Sequence, residues 1–350
     1  MSEPAPHTSQ RAEQRTAWTR RTLGDPHAAL VRASVDAGFR SYWRVPCTGA
    51  SALPAGAISG SAIVMDSPPD KEDVRPWLHI RGLLEAGGVR VPRVLAQDAD
   101  AGFLLLEDLG ADTYLHVIDD DNADALFDAA LTELLKLQAI TSPADLPIYD
   151  EATLARELRL FDEWFCGQHL GLTLACGDLE ALDAAYRFLI DAALAQPQVL
   201  VHRDFMPRNL MPAGDGPAVL DFQDAVRGPI AYDALSLFKD AFLSWPEARV
   251  GDWLDHYHAR ARAAGLPVPE RARFRRDADL IGVQRHLKVI GIFARLRHRD
   301  GKPKYLADVP RFFGYLDAVL PRYAELAPLL EFIERKVKPA ITQADAASGA

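Results

Sequence analysis

The sequence predicts an α+β protein of two lobes, a small strand-rich N-terminal lobe and a larger helical C-terminal lobe. Three observations carry this expectation. From about Leu30 to Leu109 the chain runs in short β-like stretches broken by Gly and Pro. Beyond Gly110, long segments with apolar stripes at helical spacing take over. At 350 residues, 49% of them hydrophobic, the chain is long enough to build two cores. The expected division is 11–109 for the N-lobe and 110–341 for the C-lobe. The ends, 1–10 and 342–350, are rich in Ala, Ser, Gln and Pro and are expected to fray, because they bury too little to offset the entropy of ordering.

In the N-lobe, strands are expected at Gly38–Val45, Ser61–Met65, Arg93–Gln97 and Phe103–Glu107, with a loop over Pro46–Gly60. One helix interrupts them, Lys71–Ala86, with Val74, Trp77, Leu78 and Leu84 near helical spacing and Gly87-Gly88 as its stop. In the C-lobe, helices are expected over Asp124–Ile140, Glu151–His169, Asp178–Ala195, Ala231–Leu243, Val250–Ala264, Arg271–Arg299 and Val309–Val337. Only three β-like islands fall among them, at Val199–His202, Asn209–Met211 and Ala218–Phe222.

Composition excludes several classes. The formal charge of −10 disfavours nucleic acid and anionic membrane surfaces as partners. Three cysteines, Cys47, Cys166 and Cys176, with no CxxC spacing, suggest neither a disulfide framework nor a zinc cluster. The polar opening lacks the apolar core of a secretory signal, and no run reaches about 18 uninterrupted apolar residues. A cytoplasmic protein is expected.

The chemistry concentrates in Val199-Leu200-Val201-His202-Arg203-Asp204-Phe205-Met206-Pro207-Arg208-Asn209-Leu210 and Val219-Leu220-Asp221-Phe222-Gln223-Asp224, where two apolar strands each deliver polar groups at their ends. Phosphoryl transfer needs a carboxylate beside the attacking hydroxyl and oxygen donors for a magnesium ion bridging the phosphates. Asp204, on a loop turned by Pro207, is the candidate base and orienter. Asn209 and Asp221 are the candidate metal ligands, since magnesium accepts hard oxygen donors and keeps several waters. A solvated loop that happens to contain an HRD triplet is the bland alternative, and the added Asn209 and hydrophobic-flanked Asp221 weigh against it.

His202-Arg203-Asp204 with Asn209 resembles the catalytic loop of the protein kinase-like superfamily, and Asp221-Phe222 resembles its metal-binding triplet, with Gln223 in place of glycine. The wider segment, through Gly228-Pro229 and Tyr232-Asp233, resembles the aminoglycoside phosphotransferase branch. Within it, the runs Ala62–Pro69, Gly102–Gly110 and Gln284–Arg295 are similar to bacterial anomeric kinases of N-acetylmuramate and N-acetylglucosamine. The likeness covers about Ala37 to Pro310.

The resemblance implies a bilobal protein kinase-like fold, with MgATP between the lobes and adenine bonded to the backbone of a hinge at Glu107, Asp108 and Leu109. A loop bearing Gly38, Phe39 and Arg40 would fold over the phosphates, although an ordinary hairpin turn fits those residues equally. Asp233 would accept bonds from the catalytic-loop backbone, and His202 and Arg203 would brace it. The strand lysine that neutralises phosphates in most kinases is missing: the corresponding run ends at Met65. Arg44, Lys71 or an arginine of the helical lobe could substitute, with Glu72 or Asp73 as the paired acid.

On the acceptor side, Arg271 to Lys304 holds eleven Lys or Arg against three Asp. This is either a solvated helix face or a cradle for an anion. A lactyl carboxylate would suit an arginine fork, and Arg208, Arg285 and His286 are the candidates. Gln223 and Asp224 follow the metal aspartate and either reach the acceptor or order the loop. The expected activity is an ATP-dependent sugar 1-kinase in cell-wall recycling, acting as a monomer on a small amino sugar. The alternatives are a kinase of another small alcohol, such as an aminoglycoside or choline, and a nucleotide-binding pseudokinase.

Overall fold

A computed structural model describes residues 6–35, 39–47 and 60–348. In chain order the helices are α1 (Pro6–Leu23), α2 (Arg75–Ala86), α3 (Tyr114–Val117), α4 (Ala123–Ala139), α5 (Glu151–Leu160), α6 (Cys176–Leu194), α7 (Ala231–Phe238), α8 (Glu247–Ala263), α9 (Arg271–His298), α10 (Val309–Val319), α11 (Ala327–Phe332) and α12 (Lys338–Ser348). The strands are β1 (Val31–Val35), β2 (Ser41–Pro46), β3 (Ser61–Asp66), β4 (Val94–Asp98), β5 (Phe103–Glu107), β6 (Gln198–Val201), β7 (Leu210–Met211), β8 (Ala218–Val219) and β9 (Val226–Pro229).

Contacts group the chain into two compact units, Met1–Glu133 with Arg208–Gln223 and Leu134–Pro207 with Asp224–Ala350. The composition break near Glu107–Ala111 is therefore not where the contacts divide. The β7–β8 hairpin groups with the strand-rich unit because the Val219 N–H donates to the Arg90 carbonyl at 2.8 Å, next to β4.

The first unit is a five-stranded antiparallel sheet in the order β1-β2-β3-β5-β4. Every residue of β5 is buried, which accounts for its unbroken apolar run. Strand alternation sends Val45, Ala62, Val64, Phe103 and Leu105 to one face, where α1 covers them through Trp18 and Leu23. Trp18 stacks on Phe103 at 5.4 Å, and Arg11 and Arg15 of α1 pair with buried Asp66 at 2.7 and 2.8 Å. Neither α1 nor β1 stands out in the sequence, because α1 is rich in Arg, Gln and Thr and its few apolar residues do not form a continuous stripe. Helical backbone starts at Pro6 and ends at Ser348, so 6–10 and 342–348 are helical where fraying was expected. Most of the expected Pro46–Gly60 loop lies outside the described residues.

The second unit is helical apart from the β6–β9 pair; β9 carries Gly228-Pro229 and, like β1, is missing from the sequence-based list. Central α9 is buried on nearly every side from Asp277 to Ala294. Two expected helices are shorter or broken. The one from Ala231 ends at Phe238, and Val309–Val337 divides at Leu320-Pro321, where proline removes a backbone donor. The long helix from Glu151 holds α-geometry to Leu160 and then widens into π-type turns to His169, with the Leu170 N–H donating to the Phe165 carbonyl at 3.0 Å.

That widening coincides with the closest approach of α9. A Cβ on Gly291 would lie 2.3 Å from the Leu160 carbonyl carbon and 2.4 Å from its oxygen. Backbone cannot yield as a side chain tip can, so Gly291 sets how near α9 comes to α5. Gly291→Ala is expected to destabilise the protein by about 1–3 kcal/mol, read as a lower urea midpoint at unchanged slope. An unchanged midpoint would show that the approach is not tight.

Candidate functional site

The candidate catalytic segment follows β6 and is held by Asp233 at the start of α7. The Asp233 carboxylate is fully buried and accepts the backbone N–H groups of His202 at 2.7 Å and Arg203 at 3.0 Å. Burial pushes this carboxyl up to about 6, against the pull of His202 and of the two donors. The chain needs this support because Arg203 has φ of 75°, a left-handed conformation that a residue with a Cβ avoids. His202 is buried, and its Nδ1 lies 3.3 Å from the Asp204 N–H.

Asp204 leaves this loop with its side chain 44% exposed, and Arg285 Nη1 stands 3.6 Å from its Oδ1. The protein mass around the carboxyl would raise its pKa. The positive charges of Arg285, first, and of Lys288 and Arg203 outweigh that effect and hold it below the ordinary aspartate value.

Those cations form a network. Arg285, only 3% exposed, donates to the Arg203 carbonyl at 3.1 Å and the Tyr232 hydroxyl at 3.2 Å. Lys288, one turn along α9, reaches the Tyr232 hydroxyl at 3.3 Å and pairs with Glu157 at 2.9 Å. Glu157 also takes Arg203 at 2.5 Å and Gln284 at 3.2 Å, and accepts a hydrogen bond from the Tyr149 hydroxyl. Burial opposes ionisation of Glu157, but Lys288 and Arg203 reverse the effect and keep its pKa low. The Tyr149 hydroxyl is held well above its usual range by burial and by the charges beside it, so it stays a donor. Glu157 and Tyr149 are absent from the sequence-based candidates. A signal for Glu157 exists: it sits between Leu154 and Leu158 on the buried stripe of α5, where an acid must find a partner.

The candidate metal ligands lie in the other unit. The β7–β8 hairpin pairs Leu210 with Val219, and the Leu220 N–H donates to the Asn209 carbonyl at 2.9 Å, so Asn209 lies beside the chain that enters Asp221. Asp221 has φ of 63°, a second strained residue, and presents a carboxylate 45% exposed. Fully buried Phe222 anchors it against Trp77 of α2 at 5.0 Å. Among the described residues no cluster of three His, Cys, Asp or Glu side chains is assembled for a metal. One carboxylate and one amide suit magnesium, which completes its shell from phosphate and water.

The remaining candidates divide. Gln223 donates to Asp221 Oδ1 at 2.9 Å and so orders that candidate ligand. Asp224 and Arg208 are exposed. His286 is 1% exposed, lies 4.9 Å from the Tyr315 ring and 5.7 Å from that of Phe312, and is kept neutral by burial and by nearby Lys239 and Arg285. His286 is thus packed among these rings, and Arg285 is already engaged by the Arg203 carbonyl, the Tyr232 hydroxyl and Asp204. The basic stretch of α9 is largely paired as well: Arg271 and Arg275 with Asp255, Arg273 with Asp277, and Arg276 with Glu325. Its cradle for an anion is thus mostly a set of ion pairs.

At the expected hinge, side chains are engaged locally. Glu107 is held by Arg90 at 2.7 Å and Arg93 at 3.3 Å, and Asp108 by Arg44 at 2.5 Å and Ser61 at 2.6 Å. A cavity of about 370 Å³ adjoins Glu107, Asp108 and Leu109 and the turn Pro212–Asp215. Arg44 also donates to the Gly110 carbonyl at 2.8 Å, so it ties β2 to the chain just beyond β5. Lys71 is exposed beside Asp70 at 3.6 Å. Gly38 lies outside the described residues. Phe39 is 63% exposed, and Arg40 is 9% exposed, 3.2 Å from Glu72 and 3.9 Å from Asp221.

Solved structures with this fold include a choline kinase from Cryptosporidium parvum (TM-score 0.61, 10% identity, 93% of this chain and 97% of that one) and an ADP-bound aminoglycoside phosphotransferase, APH(2'')-Ib (TM-score 0.57, 16% identity, 86% and 97%). In sequence the chain is 51% identical over 339 residues to the N-acetylmuramate/N-acetylglucosamine kinase of Pseudomonas putida, covering 94% of this chain and 97% of that one. It is 45% identical to the protein of the same name from Neisseria meningitidis, covering 89% and 92%. The model of the phosphotransferase enzyme family matches residues 29–275. The chain, with its Asp233-braced loop carrying Asp204 and its hairpin carrying Asn209 and Asp221, belongs to the phosphotransferase enzyme family.

Proposed function

We propose that this protein is a cytoplasmic, monomeric ATP-dependent kinase that phosphorylates the anomeric hydroxyl of N-acetylmuramate and N-acetylglucosamine. The observation that carries this reading is the 51% identity, over nearly the whole of both chains, to a kinase named for those two sugars. The folds shared with choline and aminoglycoside kinases, at 10–16% identity, carry no acceptor with them.

Asp204 would accept a hydrogen bond from the acceptor hydroxyl and aim its oxygen at phosphorus. Held ionised by Arg285 and Lys288, it is a weak base, suited to orienting the hydroxyl early and taking its proton late. An anomeric hydroxyl is more acidic than an ordinary alcohol, so it makes a smaller demand on that base. Asn209 and Asp221 would hold magnesium, which when bound neutralises phosphate charge. Glu157, Tyr149 and Tyr232 would keep the cations around Asp204 fixed, so that little reorganisation is needed as charge moves.

Incubation with MgATP and each sugar, followed by phosphorus NMR, is expected to show phosphate on the anomeric carbon; phosphate on O6 contradicts the proposal. Asp204→Asn is expected to cut kcat by about 10²–10⁴ while ATP affinity, measured by calorimetry, stays near wild type. Equal turnover in both proteins removes Asp204 from its role. Because Arg285 depresses the Asp204 pKa, Arg285→Met should move the acid limb of the kcat/KM profile to higher pH. A profile that falls in height without shifting would mean that Arg285 acts only on structure.

A further inference from the structure

The fold has no lysine on β3: Met65 is fully buried, and its Cα partner on β2 is Tyr42. Directly paired residues share a face of the sheet, and residues two apart on a strand do as well. Arg40, two residues before Tyr42, therefore emerges on the face of Met65, opposite the face that α1 covers. From there its guanidinium reaches Glu72 at 3.2 Å and Asp221 at 3.9 Å, and the residue is 9% exposed. A cation pairing with an acid just before α2 and standing beside the candidate metal aspartate supplies the charge neutralisation that phosphoryl transfer needs. Here it comes from the residue just before the neighbouring strand, β2.

The acid is held in place independently of Arg40. The Glu72 N–H donates to the Pro68 carbonyl at 2.9 Å, and the Ser67 hydroxyl donates to the Glu72 carbonyl at 2.8 Å. Ser67 in turn lies against Gly102, where a Cβ would meet its carbonyl oxygen at 1.9 Å. On the other side, Gln223 and the Phe222–Trp77 contact hold Asp221. The guanidinium thus stands between two carboxylates with rigid supports. The other basic groups near by are committed elsewhere, Arg44 to Asp108 and the Gly110 carbonyl, and Lys71 to solvent and Asp70.

We infer that Arg40 replaces the absent strand lysine as the cation that binds the phosphates of the nucleotide, with Glu72 as its orienting acid. The inference rests on the proposed use of ATP, and it concerns only the phosphate end of that ligand. Arginine brings a fork of donors where lysine brings a point charge, so it can reach phosphate oxygens while keeping Glu72.

Calorimetry with ATP, ADP and adenosine in magnesium tests it. Arg40→Met is expected to weaken ATP and ADP about tenfold to hundredfold and to leave adenosine unchanged, and Arg40→Lys is expected to recover most of the loss. Unchanged ATP affinity in Arg40→Met, or equal losses for ATP and adenosine, would overturn the assignment. A reading that does not need Arg40→Met to fold comes from wild-type protein labelled with ¹⁵N-arginine. The Arg40 Nε resonance, identified by its loss in Arg40→Lys, should move with ADP and stay still with adenosine; no movement with ADP overturns the inference. Should the wild type phosphorylate neither sugar yet show this phosphate-dependent pattern, the acceptor falls and Arg40 stands. Should it phosphorylate the sugars while Arg40→Met binds ATP normally, the reverse holds.

Discussion

Burying positive charge beside the catalytic loop is the constraint on which the helical unit depends. Arg203, Arg285 and Lys288 are drawn from the loop and from central α9, and none can sit in a largely apolar interior without a counter-charge. Glu157 supplies it for Arg203 and Lys288, Asp204 for Arg285, and the Tyr232 hydroxyl accepts from both Arg285 and Lys288. The arrangement explains why α9 must approach α5 closely enough to exclude a side chain at Gly291. Lys288 lies one turn away and has to reach Glu157.

The same constraint gives the loop its chemistry. An aspartate surrounded by cations remains ionised and keeps a fixed orientation, which favours positioning over strong basicity. Two strained residues, Arg203 and Asp221, deliver the polar groups at the ends of short strands. Each is held by a neighbour that is not itself reactive: Asp233 fixes the backbone at Arg203, and Phe222 against Trp77 fixes Asp221. Strain of this kind persists only where the surroundings over-determine it.

In the strand-rich unit, charged residues tie elements together where an apolar contact would not specify direction. Arg11 and Arg15 fasten α1 to Asp66 on one face of the sheet, and Arg44 fastens β2 to Asp108 at the end of β5. Arg44 and Arg40 look equivalent in sequence, four residues apart in the same segment. Arg40, just before the strand, lies between Glu72 and Asp221, whereas Arg44, within it, pairs with Asp108.

Local signals alone determined much of this protein. Apolar stripes marked α2, α4, α6, α8 and α9 to within a few residues and the start of α5, and the spacing of Asp204, Asn209 and Asp221 singled out a candidate segment, because helical periodicity and a short loop motif are written in contiguous residues. Tertiary structure decided what contiguous residues cannot: that α1 covers the sheet, that the β7–β8 hairpin groups with the strands, and that Arg285 and His286 are interior residues of α9. A charged side chain on a helix looks the same in sequence whether it meets water or a carboxylate. Which it meets depends on segments distant in the chain, here the Glu157 of another helix, and that pairing exists only once the helices have packed.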